Sequence, residues 1–200
     1  AAREYRRRYP QAAARIVVIE NGYDEDSFAG CEALSAAGPL NPGRVTLLHS
    51  GIVYPGERDP TQLFMALGQL SKSGTLRPDE LCIRFRASVH DDQIRSLAQV
   101  HNVSDFIELC PAISYRDALA EMLAVDALLV MQSSGCNAQI PAKIYEYLRA
   151  GKPILGLTDP AGDTAGVLRQ AELHDIARLN EVDEIALLLP VVVRAWRDGK

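Results

Sequence analysis

The sequence predicts an α/β domain built on a doubly wound parallel sheet, and two observations carry that expectation. Short apolar runs of about four to six residues alternate with stretches of about ten to twelve residues patterned as helices. The short runs are apolar almost throughout, as strands must be when helices cover both faces of their sheet.

Taken in order, residues 1–15 read as the end of a helix. Arg3, Arg6, Arg7 and Arg8 complement its negative pole ahead of Pro10. Arg15 to Glu20 is predicted as a short apolar strand, stopped by the turn dipeptide Asn21-Gly22. Residues 24–43, rich in Ala, Gly and Pro without clear periodicity, read as a linker. Beyond Gly43, strands are predicted at 45–49, 81–85, 106–110, 127–131 and 153–157, with a short one near 176–179. Helices are predicted at 60–71, 91–100, 115–124, 141–150, 163–171 and 181–197. Leu63, Met65, Ala66 and Leu70 share the apolar side of the first of these, and Gly151 stops the fourth. Ligands of open parallel sheets bind beyond the carboxyl ends of the strands. The loops to read for chemistry are therefore 50–59, 86–90, 111–114 and 132–140.

Composition narrows the class. At 200 residues the chain has the size of one domain, and 48% apolar with 24% charged residues is ordinary soluble composition. A net charge of −5 argues against a nucleic-acid binder, which needs a basic face. Cys31, Cys82, Cys110 and Cys136 lie far apart with no C-x-x-C pair. That pattern argues against zinc ligation or a disulfide framework and fits a reducing cytosol. No apolar run approaches the roughly 18 residues of a membrane span. The opening Ala1-Ala2-Arg3-Glu4 shows no signal peptide, and without an initiating Met it leads us to expect a fragment of a longer protein.

The segment from Ser133 to Leu157 carries the most chemical information: a loop of small polar residues, a helix, a glycine stop and a strand. Pro141 suits the first helical position, which places Lys143 in the first turn. A helix N-terminus already carries about half a positive charge, so a lysine there is out of place unless an anion joins it. Free backbone N–H groups and a lysine together make a phosphate cradle. Glu146 shares the face of Lys143, roughly 4.5 Å further along the axis. A carboxylate there could accept hydrogen bonds from both hydroxyls of a ribose. The plain alternative is a surface Lys–Glu pair, which the apolar neighbours Ile144, Tyr145 and Leu148 disfavour.

The run IPAKIYEYLRAGKPIL resembles the signature helix of the retaining GT-B glycosyltransferases of group 1, whose relevant half is Rossmann-like. Many members carry Glu-x7-Glu there; a variant subgroup shows a pattern like P-S-K-x-x-E-Y-L-A-x-G-K-P-I-L. Glu146 falls on the second glutamate, which in the family binds the ribose, and Lys143 on the variant lysine. The first glutamate, which contacts the donor sugar in the family, is replaced by Ala138. The segment from Val18 to Asp24, with Phe28, resembles the family's passage between its two domains. Leu48-His49-Ser50-Gly51 with Arg58 resembles the diphosphate loop, where Gly51 and Arg58 match and Ile52 replaces a basic residue. Residues 107–113 resemble the strand whose following backbone reads the base, with Pro111 in place of a glycine and Ile113 at the reading position. Residues 124–129 resemble the strand before the signature loop.

The resemblance implies residues 1–24 as the tail of an N-terminal acceptor domain and residues 25–200 as the C-terminal nucleotide-sugar-binding domain of a GT-B fold. The expected donor-site residues are Gly51, Arg58, Lys143, Glu146, Ile113 and Ser134. The expected donor is a nucleoside diphosphate sugar, with no metal and no other cofactor. The acceptor would be a glycan or lipid-linked molecule held by the missing domain, in the cytoplasm or on the inner face of a membrane. Peripheral membrane association of the longer protein fits that setting. Retention at the anomeric carbon follows from the family, and no turnover is expected without the other domain. A non-catalytic nucleotide- or protein-binding module is the main rival, and a GT-B epimerase a third reading.

Other residues are weighed and set aside. His49, His90, His101 and His174 show no metal-ligand spacing. His49 reads as a strand histidine able to reach a ligand, and His90 as a cap of the next helix. Ser133 and Ser134 lack a G-x-S-x-G elbow and suit hydroxyl contacts to phosphate or sugar. Glu108 reads as facing solvent and Trp196 as packing, on a last helix that in the family often crosses to the other domain. No G-x-G-x-x-G or Walker lysine is present, which removes the main support for dinucleotide or ATPase chemistry.

Overall fold

The computed structural model describes residues 2–32 and 38–199. Strands run at Val45–Ser50 (β1), Leu81–Arg86 (β2), Ile107–Cys110 (β3), Ala127–Met131 (β4), Ile154–Leu157 (β5) and Ile176–Ala177 (β6). All pair in parallel, in one six-stranded sheet of order β3-β2-β1-β4-β5-β6. The chain thus builds outward from β1 in one direction, returns to its other side, and builds outward again. The reversal lies between β1 and β4, and such a point opens a crevice at the carboxyl ends of the strands.

The helices that matter for the sheet are α3 (Thr61–Lys72), α4 (Asp91–Val100), α5 (Tyr115–Ala124), α6 (Lys143–Ala150), α7 (Asp163–Gln170) and α8 (Val182–Arg197). They divide between two apolar cores, one on each face. Leu47, Ile83, Phe85 and Leu129 meet Leu63, Phe64 and Leu67 of α3, Ile94 of α4 and Val192, Val193 and Trp196 of α8. Leu48, Leu128, Val130 and Ile154 meet Leu119 and Met122 of α5, Ile144 and Tyr147 of α6 and Leu168 of α7. Both faces are covered, which is why the strands read as unbroken apolar runs. The last helix, α8, packs along α3 and carries Trp196 into this core.

Several sequence expectations need correction, and Met65, read on the apolar side of α3, is one: it is exposed where Leu63, Ala66 and Leu70 are buried. Residues 16–24 form no strand. Val17, Val18 and Ile19 are 72%, 61% and 90% exposed, and among the described residues no neighbouring strand supplies the backbone bonds a strand requires. The stretch read as a linker is partly docked. A short helix α2 (Glu25–Phe28), following the N-terminal helix α1 (Ala2–Arg8), begins where the Asp24 carboxylate accepts from Asp26 N (3.2 Å) and Ser27 Oγ (2.7 Å). Behind it Phe28 and Cys31 are buried against α5 and α6, and the Arg149 guanidinium lies over the Phe28 ring. Residues 33–37 of that stretch lie outside the described residues.

Glu108 is a further correction. It does not simply face solvent but accepts from Arg84 (2.8 Å) and Arg44 (2.8 Å). Arg84 and Arg86 of β2 both reach the buried Glu121 of α5, at 2.9 and 2.6 Å. Burial pushes the Glu121 carboxyl up, but hydrogen bonds from Arg86 and Arg84 outweigh it and hold the group below the usual carboxylate range. Arg86 also donates to the Pro111 carbonyl (2.7 Å), so this network sets the loop that follows β3.

Candidate functional site

The site is assembled at the carboxyl end of β1. The buried strand carries His49 and Ser50 to the carboxyl end of the sheet, where Gly51 turns the chain with φ +110°. A side chain at 51 would be strained by that backbone alone. It would also meet Lys143: an ideal Cβ lies 3.1 Å from Nζ. Glycine here is what allows the lysine to approach the loop.

Lys143 is the first residue of α6, which starts two residues later than the sequence placed it. Ile144 N–H bonds Pro141 O (3.0 Å) and Tyr145 N–H bonds Ala142 O (3.2 Å), so Pro141 and Ala142 form a tightened lead-in turn. The Lys143 ammonium turns back across the sheet end, donating to Ser50 O and lying 3.3 Å from His49 Nε2. His49 Nδ1 faces Leu129 O at 3.0 Å. Burial, reinforced by the nearby Arg58 charge and opposed by Glu146, brings the Lys143 pKa down to about 7. Burial first, and the Lys143 charge second, keep the His49 ring well below the ordinary histidine range.

One turn on, Glu146 accepts a hydrogen bond from Tyr115 Oη (2.6 Å), the first residue of α5. That bond pushes the Tyr115 hydroxyl up to about 12. Tyr147 completes the link between helix and strand: its buried Oη accepts from Ser50 N–H (2.9 Å). Lys143 and Tyr147 are four residues apart on one face of α6 and hold the two backbone polar groups of Ser50 between them.

Lys143, Gly51 and Glu146 are therefore brought to one place, with Arg58 close enough to act on Lys143. Arg58 itself donates to Ile52 O (2.8 Å) and stacks over the Tyr54 ring, closing its loop on itself. Ile113 and Ser134 lie on loops at the same end of the sheet; both are exposed, and Ser134 opens a single 3-10 turn. A cavity of about 580 Å³ lies between the loops after β2 and β3, lined by Ser88, His90, Cys110 and Ala112. Val89 in the first of these loops has φ +69°, a strained conformation for a β-branched residue. His90 takes the N-cap position of α4, but its side chain makes no capping bond.

Sequence reasoning did not find Tyr115, Tyr147 or the partnership of His49 with Lys143. Only Tyr147 left a local signal, its i+4 spacing from Lys143. Among the described residues no group of three or more His, Cys, Asp and Glu could hold a metal ion, and no helix is long and apolar enough to cross a membrane.

No protein-family model matches the sequence, and no curated protein matches it. Solved structures do match in fold. WaaG, a glycosyltransferase involved in lipopolysaccharide biosynthesis, is similar with a TM-score of 0.72 at 15% identity, over 98% of this chain and 54% of that one. The Anabaena protein Alr3699/HepE, solved in complex with UDP-glucose, gives 0.64 at 16% identity, over 98% and 53%. The lipopolysaccharide outer core galactosyltransferase WaaB gives 0.61 at 14% identity, over 92% and 48%. The chain spans about half the length of each. Its fold is that of one half of a GT-B glycosyltransferase.

Proposed function

We propose that this chain is the C-terminal, nucleotide-sugar-binding half of a group 1 GT-B glycosyltransferase. In this reading residues 1–24 are the tail of the acceptor domain and residues 25–200 the donor domain. The observation that carries it is the meeting of Lys143 with Gly51 at the switch point of the sheet, with Glu146 one turn further along α6. A parallel sheet presents its ligand site at that point, and a cation beside open backbone suits a diphosphate.

Each residue then has a role. Lys143 neutralises the charge that grows on the diphosphate as the sugar departs, and Arg58 joins it by exchanging the Ile52 carbonyl for a phosphate oxygen. Glu146, steadied by Tyr115, accepts from the ribose hydroxyls. The backbone around Ile113 and the cavity beside it take the base. Ser134 offers a hydroxyl to phosphate or sugar. The acceptor, a glycan or a lipid-linked molecule, is bound by the other half, so the chain alone binds donor without turning it over.

Calorimetric titration with UDP, GDP and ADP tests this. One nucleotide is expected to bind saturably, and Lys143→Ala to weaken it at least about tenfold, the worth of one charge-assisted hydrogen bond. Equal binding by the variant would remove Lys143 from the site. UDP is the first probe because HepE was solved with UDP-glucose. A second reading, a GT-B-like module without catalysis, is favoured by Ala138 at the place of the family's sugar-contacting glutamate and by Ile52 at that of a basic residue. Turnover by the longer protein, lost in Glu146→Gln, excludes it.

A further inference from the structure

His49 is completely buried, yet among the described residues no carboxylate pairs with it. Its ring packs against Phe85, Nδ1 faces Leu129 O and Nε2 faces Lys143 Nζ, with the Ile52 backbone also close to the ring. The Leu129 carbonyl is an acceptor only, so Nδ1 facing it at 3.0 Å must carry the proton. A neutral ring then leaves its lone pair on Nε2, the nitrogen 3.3 Å from Lys143 Nζ. An ammonium has three donors and no acceptor. Ser50 O and His49 Nε2 take two of them; among the described residues the third has no acceptor.

We propose that His49 is a positioning residue for the anion site, its Nε2 lone pair holding the Lys143 ammonium against Gly51 with one N–H left over for a diphosphate oxygen. The inference rests on the reading that Lys143 binds the diphosphate. The chemistry explains why the residue is histidine. Phenylalanine would fill the same space without the acceptor, and a lysine or arginine would repel the ammonium. Burial, Arg58 on the loop after β1 and Glu146 on its own helix set the charge of Lys143, while burial, Lys143, Arg58 and the Leu129 and Ile52 backbone act on His49. His49 is the side chain that accepts from the ammonium, beside the Ser50 carbonyl. The arrangement also binds nucleotide affinity to pH, because an anion raises the pKa of the lysine it meets and a proton is taken up on binding.

The test has a spectroscopic arm and a binding arm. Nitrogen-15 NMR of the full chain should show the His49 ring neutral and protonated at Nδ1 from about pH 6 to 8, with an Nε2 signal that moves in Lys143→Ala. A ring that becomes doubly protonated near pH 6.5, or that is protonated at Nε2, overturns the proposal. In UDP titrations, His49→Phe should weaken binding roughly tenfold and move to lower pH the point above which affinity falls. His49→Gln, which keeps an acceptor oxygen, should restore most of both. A purely packing role would leave the pH profile in place, and that outcome in a folded His49→Phe protein rules the proposal out. Should His49→Phe not fold, the Gln variant and the NMR arm decide. Lys143→Ala separates the two ideas. If it leaves UDP binding intact, the diphosphate reading fails; if it weakens binding while His49→Phe does not, only the role of His49 fails.

Discussion

Lys143 sits in a folded environment that opposes its own charge. Its pKa is about 7 in the folded chain against an ordinary 10.5, chiefly because the group is buried. Between these values the unfolded chain holds a proton that the folded chain has released, so stability rises with pH across that window. Thermal unfolding of the unliganded chain should show this rise. Lys143→Met should flatten it and stabilise the protein at neutral pH by about 1 kcal/mol, while abolishing nucleotide binding. A variant that keeps the rise, or loses stability, would show that the lysine is at ease in the empty site. In the proposed reading the diphosphate relieves what the fold alone opposes. Its place near the start of a helix, one turn before Glu146, is why local spacing revealed it. His49 and Lys143 are 94 residues apart, and no local pattern could have joined them.

Among elements, β1 and α6 are the pair that makes the site, and β2 with α5 the pair that shapes the loops beside it. Arg84 and Arg86 converge on Glu121, and Arg86 continues to Pro111 O, in front of Ile113. Removing the carboxylate leaves two arginines on a mostly buried surface. Glu121→Ala should therefore cost about 3–5 kcal/mol, read from denaturant unfolding, and loosen the loop after β3. The Glu121 pKa is depressed, so its contribution is present above its unfolded value and lost as pH falls through the lower folded value. Stability should therefore fall with acid as Glu121 is protonated, and Glu121→Gln, less stable at neutral pH, should flatten that limb. A loss under about 1 kcal/mol in Glu121→Ala would mean that the arginines reach water instead. Strands and helices from Val45 onward were legible because apolar runs and helical stretches alternate there without conflict. The network was not, since Arg84, Arg86 and Glu108 look like surface charges until the sheet places them opposite α5.

At the scale of the whole molecule, both faces of the sheet are closed while the apolar residues 17–19 stand open. Their apolar run reads as a strand in sequence, but a strand exists only with a partner for its backbone. Amide exchange in this chain should place residues 17–19 among the fastest and β1 and β4 among the slowest; protection at 17–19 would reveal pairing between copies. The topology, with its reversal between β1 and β4, puts one crevice next to Lys143, and the account stands on what occupies it. The most direct test is a crystal structure of the chain with UDP. The account predicts a phosphate oxygen within hydrogen-bond distance of Lys143 Nζ in front of Gly51, and the ribose hydroxyls on Glu146. UDP seated in the cavity of about 340 Å³ lined by Asp59, Ser133, Ser134 and Arg178, away from Gly51 and Glu146 and with Lys143 still on Ser50 O, would contradict it.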